Sequence, residues 1–215
     1  MKNISLTFDN GPDTSGTQHV LDVLTRHDIR ATFFALGSRA VEPEGRAWLE
    51  RVRDGGHCVG NHSFHHRVPL GEDRGQEAVE REIVQTEAAL APFTGGRKLF
   101  RPFGGGGRVG PHLLSAEAAD YLVRERYTCV LWNCVPGDWL DEDGWVDKAL
   151  AQCAASEWPV VVMHDSYPRA MRQLERFVCA LKDGGYTFSQ DWPLEVLPIV
   201  EGVAGAQLAD ITAPR

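Results

Sequence analysis

Apolar and polar residues alternate along Ile4-Ser5-Leu6-Thr7-Phe8, the two-residue period of a strand, and Gly11-Pro12 stops it. Val20, Leu21, Val23 and Leu24 then fall on one face of a helix expected over 16–26. The β-branched and aromatic run 31–36 predicts a second strand. A helix over 43–54 follows, with Pro43 suited to its first turn and Gly55-Gly56 to its stop. The same alternation continues: strand 57–60, helix 77–91, strand 99–101, helix 115–126 capped by Ser115, strand 128–132, helix 145–156, the continuous apolar strand 159–163, helix 169–182 and strand 186–188. Stretch 61–75 is irregular and histidine-rich, four glycines fill 104–107, and the Pro-punctuated tail from Trp192 is expected to wrap the surface.

Strict alternation of strands and helices means parallel β-α-β crossovers. About seven such pairs suit a distorted (β/α) barrel over one domain, 1–215, with a doubly wound open sheet as the alternative. The barrel is preferred because polar residues gather at the carboxyl ends of many strands, and a closed ring brings those ends to one mouth.

Composition narrows this little. The chain has 215 residues and a formal net charge of -8; no Lys/Arg cluster stands out, which argues against a nucleic-acid partner. No apolar run has the length of a transmembrane helix. Residues 1–5 lead straight into a strand without a signal-peptide core, so a cytoplasmic protein is expected, a trimmed leader aside. The five cysteines, 58, 129, 134, 153 and 179, are scattered without C-x-x-C spacing, and buried reduced thiols are expected.

Polar groups of hydrolytic type sit at five strand ends: Asp9 and Asn10, His62 and His66, Arg101, Asp138, and His164. Each has a plain structural alternative. Asp9 could cap the next helix, and His62, His65 and His66 could be a solvated loop. His164 could be a satisfied core histidine, and Arg101 with Asp9 a structural ion pair. Against that, His62 and His66 are four apart, which on one helical turn would aim both rings at one metal ion.

In order along the chain, Thr7-Phe8-Asp9-Asn10-Gly11-Pro12, His62-Ser63-Phe64-His65-His66, Arg101-Pro102-Phe103, Asp138-Trp139 and Val162-Met163-His164 resemble the five motifs of the NodB-type polysaccharide deacetylases. These are carbohydrate esterases that remove acetyl groups from N-acetylglucosamine units, and their fold is a distorted (β/α) barrel. The resemblance implies Asp9 as general base, oriented by Arg101, and His164 as general acid, its charge tuned by Asp138. It also implies a divalent metal, zinc first with cobalt or nickel as alternatives, on Asn10, His62 and His66. Phe103 and Trp139 could stack on a sugar ring, and an N-acylated sugar or oligosaccharide is the implied substrate. Two departures stand out. Asn10 replaces the family's metal-binding aspartate, which removes one negative charge and lowers the expected affinity. Val135 stands where many members carry a further acid. Other readings stay open: a hydrolase of another amide, such as a formamido sugar or a cyclic amide, the latter including enzymes that dispense with the metal, or a non-catalytic carbohydrate-binding barrel.

Overall fold

The computed structural model describes residues 2–214; Met1 and Arg215, the two ends of the expected domain, lie outside the described residues. Strand β1 (Lys2–Asp9) is the centre of the sheet. It pairs in parallel with β2 (Thr32–Ala35) on one side and β6 (Val160–His164) on the other. Its first residues also pair with β7 (Tyr186–Phe188). Beyond β2 come β3 (Cys58–Asn61), β4 (Leu99–Phe100) and β5 (Thr128–Cys129), all parallel. Past β5 the chain turns back to β6: Cys134 N donates to Val160 O at 3.2 Å and Val162 N to Cys134 O at 3.0 Å. This irregular seam closes the ring and makes it a distorted barrel.

The period-two rule explains how β1 serves both the core and the site. Ile4, Leu6 and Phe8 face outward into a fully buried layer. That layer also holds Val20, Leu21 and Leu24 of α1 (Thr14–Arg26), Leu49 and Val52 of α3 (Pro43–Asp54), and Phe177, Val178 and Leu181 of α9 (Leu174–Asp183). Thr7 and Asp9 face inward, both buried. The interior is filled by Phe34, Phe100, Val160, Val162 and Leu131, continuous with α6 (Ala116–Arg124).

Several boundaries differ from expectation, each for a visible reason. Strand 128–132 is regular only through Cys129, because the carbonyls of Val130 and Leu131 turn inward to accept from the Arg101 guanidinium at 3.2 and 3.1 Å. Helix 169–182 is split into α8 (Pro168–Met171) and α9, and at the break the Ala170 carbonyl accepts both from Gln173 N at 3.1 Å, a tightened turn, and from Trp145 Nε1 at 2.9 Å. Helix 77–91 is interrupted: α4 (Gln76–Val79) and α5 (Gln85–Leu90) flank a π turn, Glu80–Val84. The tail does more than wrap the surface. Its hairpin, β8 (Ile199–Val200) and β9 (Val203–Ala204), pairs antiparallel with β5, and Val196, Ile199 and Ile211 are buried. Ser115 caps α6 through a 3.1 Å bond from Ala118 N. Cys129, Cys134 and Cys153 are buried free thiols, but Cys179 is exposed. Among the described residues no helix is long and apolar enough to cross a membrane.

Candidate active site

The site begins where β1 ends. Asn10 takes a φ of 70°, a left-handed conformation that asparagine and aspartate tolerate better than other side chains. The chain then passes through Gly11, where a Cβ would lie 2.2 Å from Asp165 Oδ2, so only glycine fits. The cap of α1 is Asp13, whose Oδ1 accepts from Gly16 N at 3.1 Å. Asp9 is thereby excluded as the helix cap and is left to the interior.

There Asp9 is held on one side by Arg101. Nη1 donates to Asp9 Oδ1 at 2.9 Å and to Thr7 Oγ1 at 2.6 Å, and the guanidinium is fully buried. On the other side His62 Nε2 lies 3.6 Å from Asp9 Oδ2. His62 Nδ1 is 2.8 Å from the Arg101 carbonyl, which can only accept, so Nδ1 carries the proton and the Nε2 lone pair is free. Burial, joined by the positive charges of Arg101 and His164, pulls His62 down to about 3. Burial and the neighbouring His62 bring His66 to about 3 as well. Both rings are therefore neutral at ordinary pH.

The 62–66 loop is irregular, as expected of 61–75, and does not form the helical turn on which the four-residue spacing would align the rings. Ser63 and His66 have φ of 67° and 55°, and this backbone, rather than an i, i+4 helix, brings the two imidazole centroids to 4.7 Å. Nor is it a solvated loop: His62 is 3% exposed, and the half-buried His65 turns away to Glu82.

On the opposite wall, Asp138 is fully buried. Its Oδ1 lies 2.9 Å from His164 Nδ1, and its Oδ2 accepts from His164 N at 2.8 Å. Burial alone would lower His164, but this hydrogen bond and the charges of Asp138, Asp9 and Asp165 hold it above its ordinary value. Asp9, Asn10, His62, His66 and His164 line one cavity of about 210 Å³ with Phe103, Trp139, Trp132, Tyr167 and the 104–107 glycines. Phe103 packs against His66 at 3.8 Å between centroids, and Trp139 meets His164 edge to face at 4.9 Å. Arg101 and Asp138 stand behind the wall, as supports.

The donor set suits a divalent transition ion. Asn10 Oδ1 is buried with no hydrogen-bond partner, an expensive arrangement unless something accepts its lone pairs. With two neutral imidazoles it makes an N₂O set of the kind that zinc, cobalt and nickel take.

A family model described as polysaccharide deacetylase matches residues 1–121, which carry Asp9, Asn10, His62, His66 and Arg101. The chain belongs to the polysaccharide deacetylase family. A chitooligosaccharide deacetylase of Rhizobium leguminosarum bv. trifolii is 34% identical over 175 residues, 78% of this chain and 73% of that protein. The peptidoglycan-N-acetylglucosamine deacetylase PgdA of Listeria monocytogenes is 30% identical over 87% of this chain, but the chain spans only 37% of that protein's length. Among solved structures, a family 4 carbohydrate esterase from Streptomyces lividans in complex with acetate is 28% identical. It matches with a TM-score of 0.72 over 93% of this chain and 97% of its own. Those two relatives by sequence are named as deacetylases of amino-sugar polymers or oligomers.

Three contributors were not legible as functional in the sequence: Thr7, which shares Arg101 with Asp9; Glu82; and Asp165. Thr7 lies within the first motif, and a local hint was also carried by Asp165, directly after His164. It is completely buried beneath the Gly11 turn, with Thr17 Oγ1 donating to Oδ2 at 2.5 Å and Oδ1 unpartnered. Burial pushes its carboxyl from 3.8 up to about 7, against weaker pulls from Thr17 and Arg39. The fold thus holds this proton more tightly than the unfolded chain does. The stability tied to it is full below about pH 4 and is lost as pH rises through about 7. Asp165→Asn, which cannot ionise, is expected to be more stable than the parent at pH 8.5, by roughly 2–4 kcal/mol, and level with it near pH 4. Urea unfolding at the two pH values checks this, and an equal difference at both would exclude a buried neutral acid.

Proposed function

We propose that this polysaccharide deacetylase family member is a metal-dependent hydrolase that removes an N-acetyl or other N-acyl group from an amino-sugar-containing substrate. One observation carries the proposal: two proton carriers with separate supports, Asp9 on Arg101 and His164 on Asp138, face one small cavity that also presents Asn10, His62 and His66. Asp9 takes the proton from the attacking water, and Arg101 fixes its orientation and compensates its charge. His164, held protonated by Asp138, delivers a proton to the departing amine on the other side of the carbonyl carbon. A divalent ion on Asn10, His62 and His66 would polarise the amide carbonyl and make water more acidic. Phe103 and Trp139 give the cavity apolar walls suited to a pyranose face, and the named activities of the relatives support a sugar amide as substrate.

The test is elemental analysis of the purified protein, followed by acetate release from chitooligosaccharides with and without added zinc or cobalt. Metal-stimulated acetate is expected. Sugar binding without turnover, or metal-free opening of cyclic amides, would overturn the reading. The support behind the acid is testable too. Asp138→Asn removes the charge and leaves one oxygen for the two His164 donors, Nδ1 and the backbone N–H, so the alkaline limb of the kcat/KM profile should move to lower pH. A limb at the parent's position would show that Asp138 does not tune His164.

A further inference from the structure

Two backbone N–H groups and one ring of the loop that carries His66 are held by one carboxylate. Glu82 Oε2 accepts from the backbone N–H groups of Phe64 at 3.0 Å and His65 at 2.8 Å, and Oε1 lies 2.9 Å from His65 Nδ1. Three donors on one ionisable acceptor make strong, directional bonds, and Glu82 is only 6% exposed, so water competes poorly. Charged residues are seldom buried this far without a specific partner. Here the partners are the loop and, more distantly, Arg81, whose Nε lies 3.4 Å from Oε1.

Glu82 lies in the middle of the π turn Glu80–Val84. A π turn changes the helical phase and frees carbonyls from the i→i−4 ladder. Two consecutive residues gain by it. Glu82 aims at Phe64 and His65, while Ile83 O accepts from Asn61 Nδ2 at 3.0 Å; Asn61 Oδ1 in turn accepts from Ser63 N, also at 3.0 Å. The loop's own carbonyls are taken from the other side: Gly37 N donates to Ser63 O at 3.0 Å and Ser38 N to Phe64 O at 3.1 Å. The segment between β3 and His66 is thus pinned at every residue from 61 to 65. The pinning is needed because Ser63 and His66 are both left-handed, at a cost of about 1–2 kcal/mol each. Released from Glu82, the loop would relax toward ordinary φ, and the His66 ring would leave His62 and Phe103.

We propose that Glu82, presented by the π turn, is a positioning residue that holds the 62–66 loop in its strained conformation and thereby sets the affinity of the Asn10–His62–His66 group for a divalent cation. This rests on the metal-site reading given above. The experiment titrates cobalt into the metal-free parent, Asn10→Asp, Glu82→Ala, Glu82→Gln and the exposed control Glu80→Ala. Dissociation constants come from calorimetry, ligand-field spectra from visible absorption, and melting temperatures from the metal-free proteins. Glu82→Ala is expected to bind cobalt at least about tenfold more weakly, with an altered spectrum. Glu82→Gln, which keeps an oxygen for the two backbone donors, should recover part of the loss, and Glu80→Ala should match the parent. Parent-like affinity and spectrum in Glu82→Ala would overturn the proposal and leave the metal reading standing. Absence of cobalt binding in both the parent and Asn10→Asp would overturn the metal reading and the proposal with it. Should Glu82→Ala fail to fold, Glu82→Gln decides: intermediate affinity supports the proposal, and parent affinity overturns it.

Discussion

Asp9→Asn is expected to lower kcat/KM for acetate release by roughly 10²–10⁴-fold, the span a positioned general base contributes. The substitution is nearly isosteric and keeps an oxygen in reach of Arg101, so the cavity's shape should survive. What changes is charge. The amide cannot take a proton from water, and the Arg101 guanidinium loses its counter-ion in a place with no solvent. Half of a buried pair is costlier than none, so a loss of about 3–5 kcal/mol of stability should accompany the loss of rate. The two effects separate when rates are measured well below the variant's melting temperature and corrected for folded fraction by circular dichroism. A folded Asp9→Asn protein within a few-fold of the parent's kcat/KM would remove Asp9 from the role of base.

Asn10→Asp should act in the opposite direction. The Asn10 oxygen is buried and unpartnered, and the two imidazoles that line the same cavity are neutral. The group therefore offers a cation three donors with no charge of their own, leaving Asp9 as the nearest anion. A carboxylate at position 10 adds a full negative charge at ligand distance, and even at an effective dielectric constant near 20 a charge separation of a few ångströms is worth several kcal/mol. Much of that is offset by desolvation and by repulsion from Asp9, so a rise in zinc affinity of roughly 10–100-fold is the expectation. The left-handed φ of 70° accepts either residue, so no backbone rearrangement opposes the change. Calorimetric zinc titration of the metal-free proteins measures it, along with the zinc concentration at which acetate release is half-maximal. Because the added charge is uncompensated without metal, the metal-free variant should also melt below the parent. Equal zinc affinities would mean that position 10 is not a ligand.

The features legible in the sequence were those written in local chemistry. Alternation along 4–8, the Gly11-Pro12 break, the Pro43 start and the Ser115 cap each act within a few residues, and the strand–helix rhythm that they mark out is the observed one. The polar residues at strand ends were visible because each follows an apolar run directly. Illegible were the features set by distant partners. The end of β5 depends on a guanidinium from β4's end drawing off two carbonyls, and nothing in 128–132 announces that. The break before Leu174 depends on an indole from α7 (Trp145–Ala155). The π turn leaves no mark on a helical pattern that reads well as continuous, so nothing in 77–91 sets Glu82 apart. The His62–His66 spacing pointed to the right convergence through the wrong geometry, since four residues can close on themselves in a left-handed loop as well as in a helical turn.

Arg101 shows how closely architecture and chemistry are joined here. Its guanidinium donates four hydrogen bonds, to Asp9 and Thr7 at one rim and to Val130 and Leu131 where β5 gives up its ladder, so one side chain both laces an open stretch of the barrel wall and holds Asp9. Lysine has neither the fork nor the donors for that stitch. Mutational drift at this position would lose scaffold and reactivity in the same event. A lineage shedding its catalytic power would be expected to change elsewhere first, and an engineer seeking an inert version of this barrel should leave residue 101 untouched.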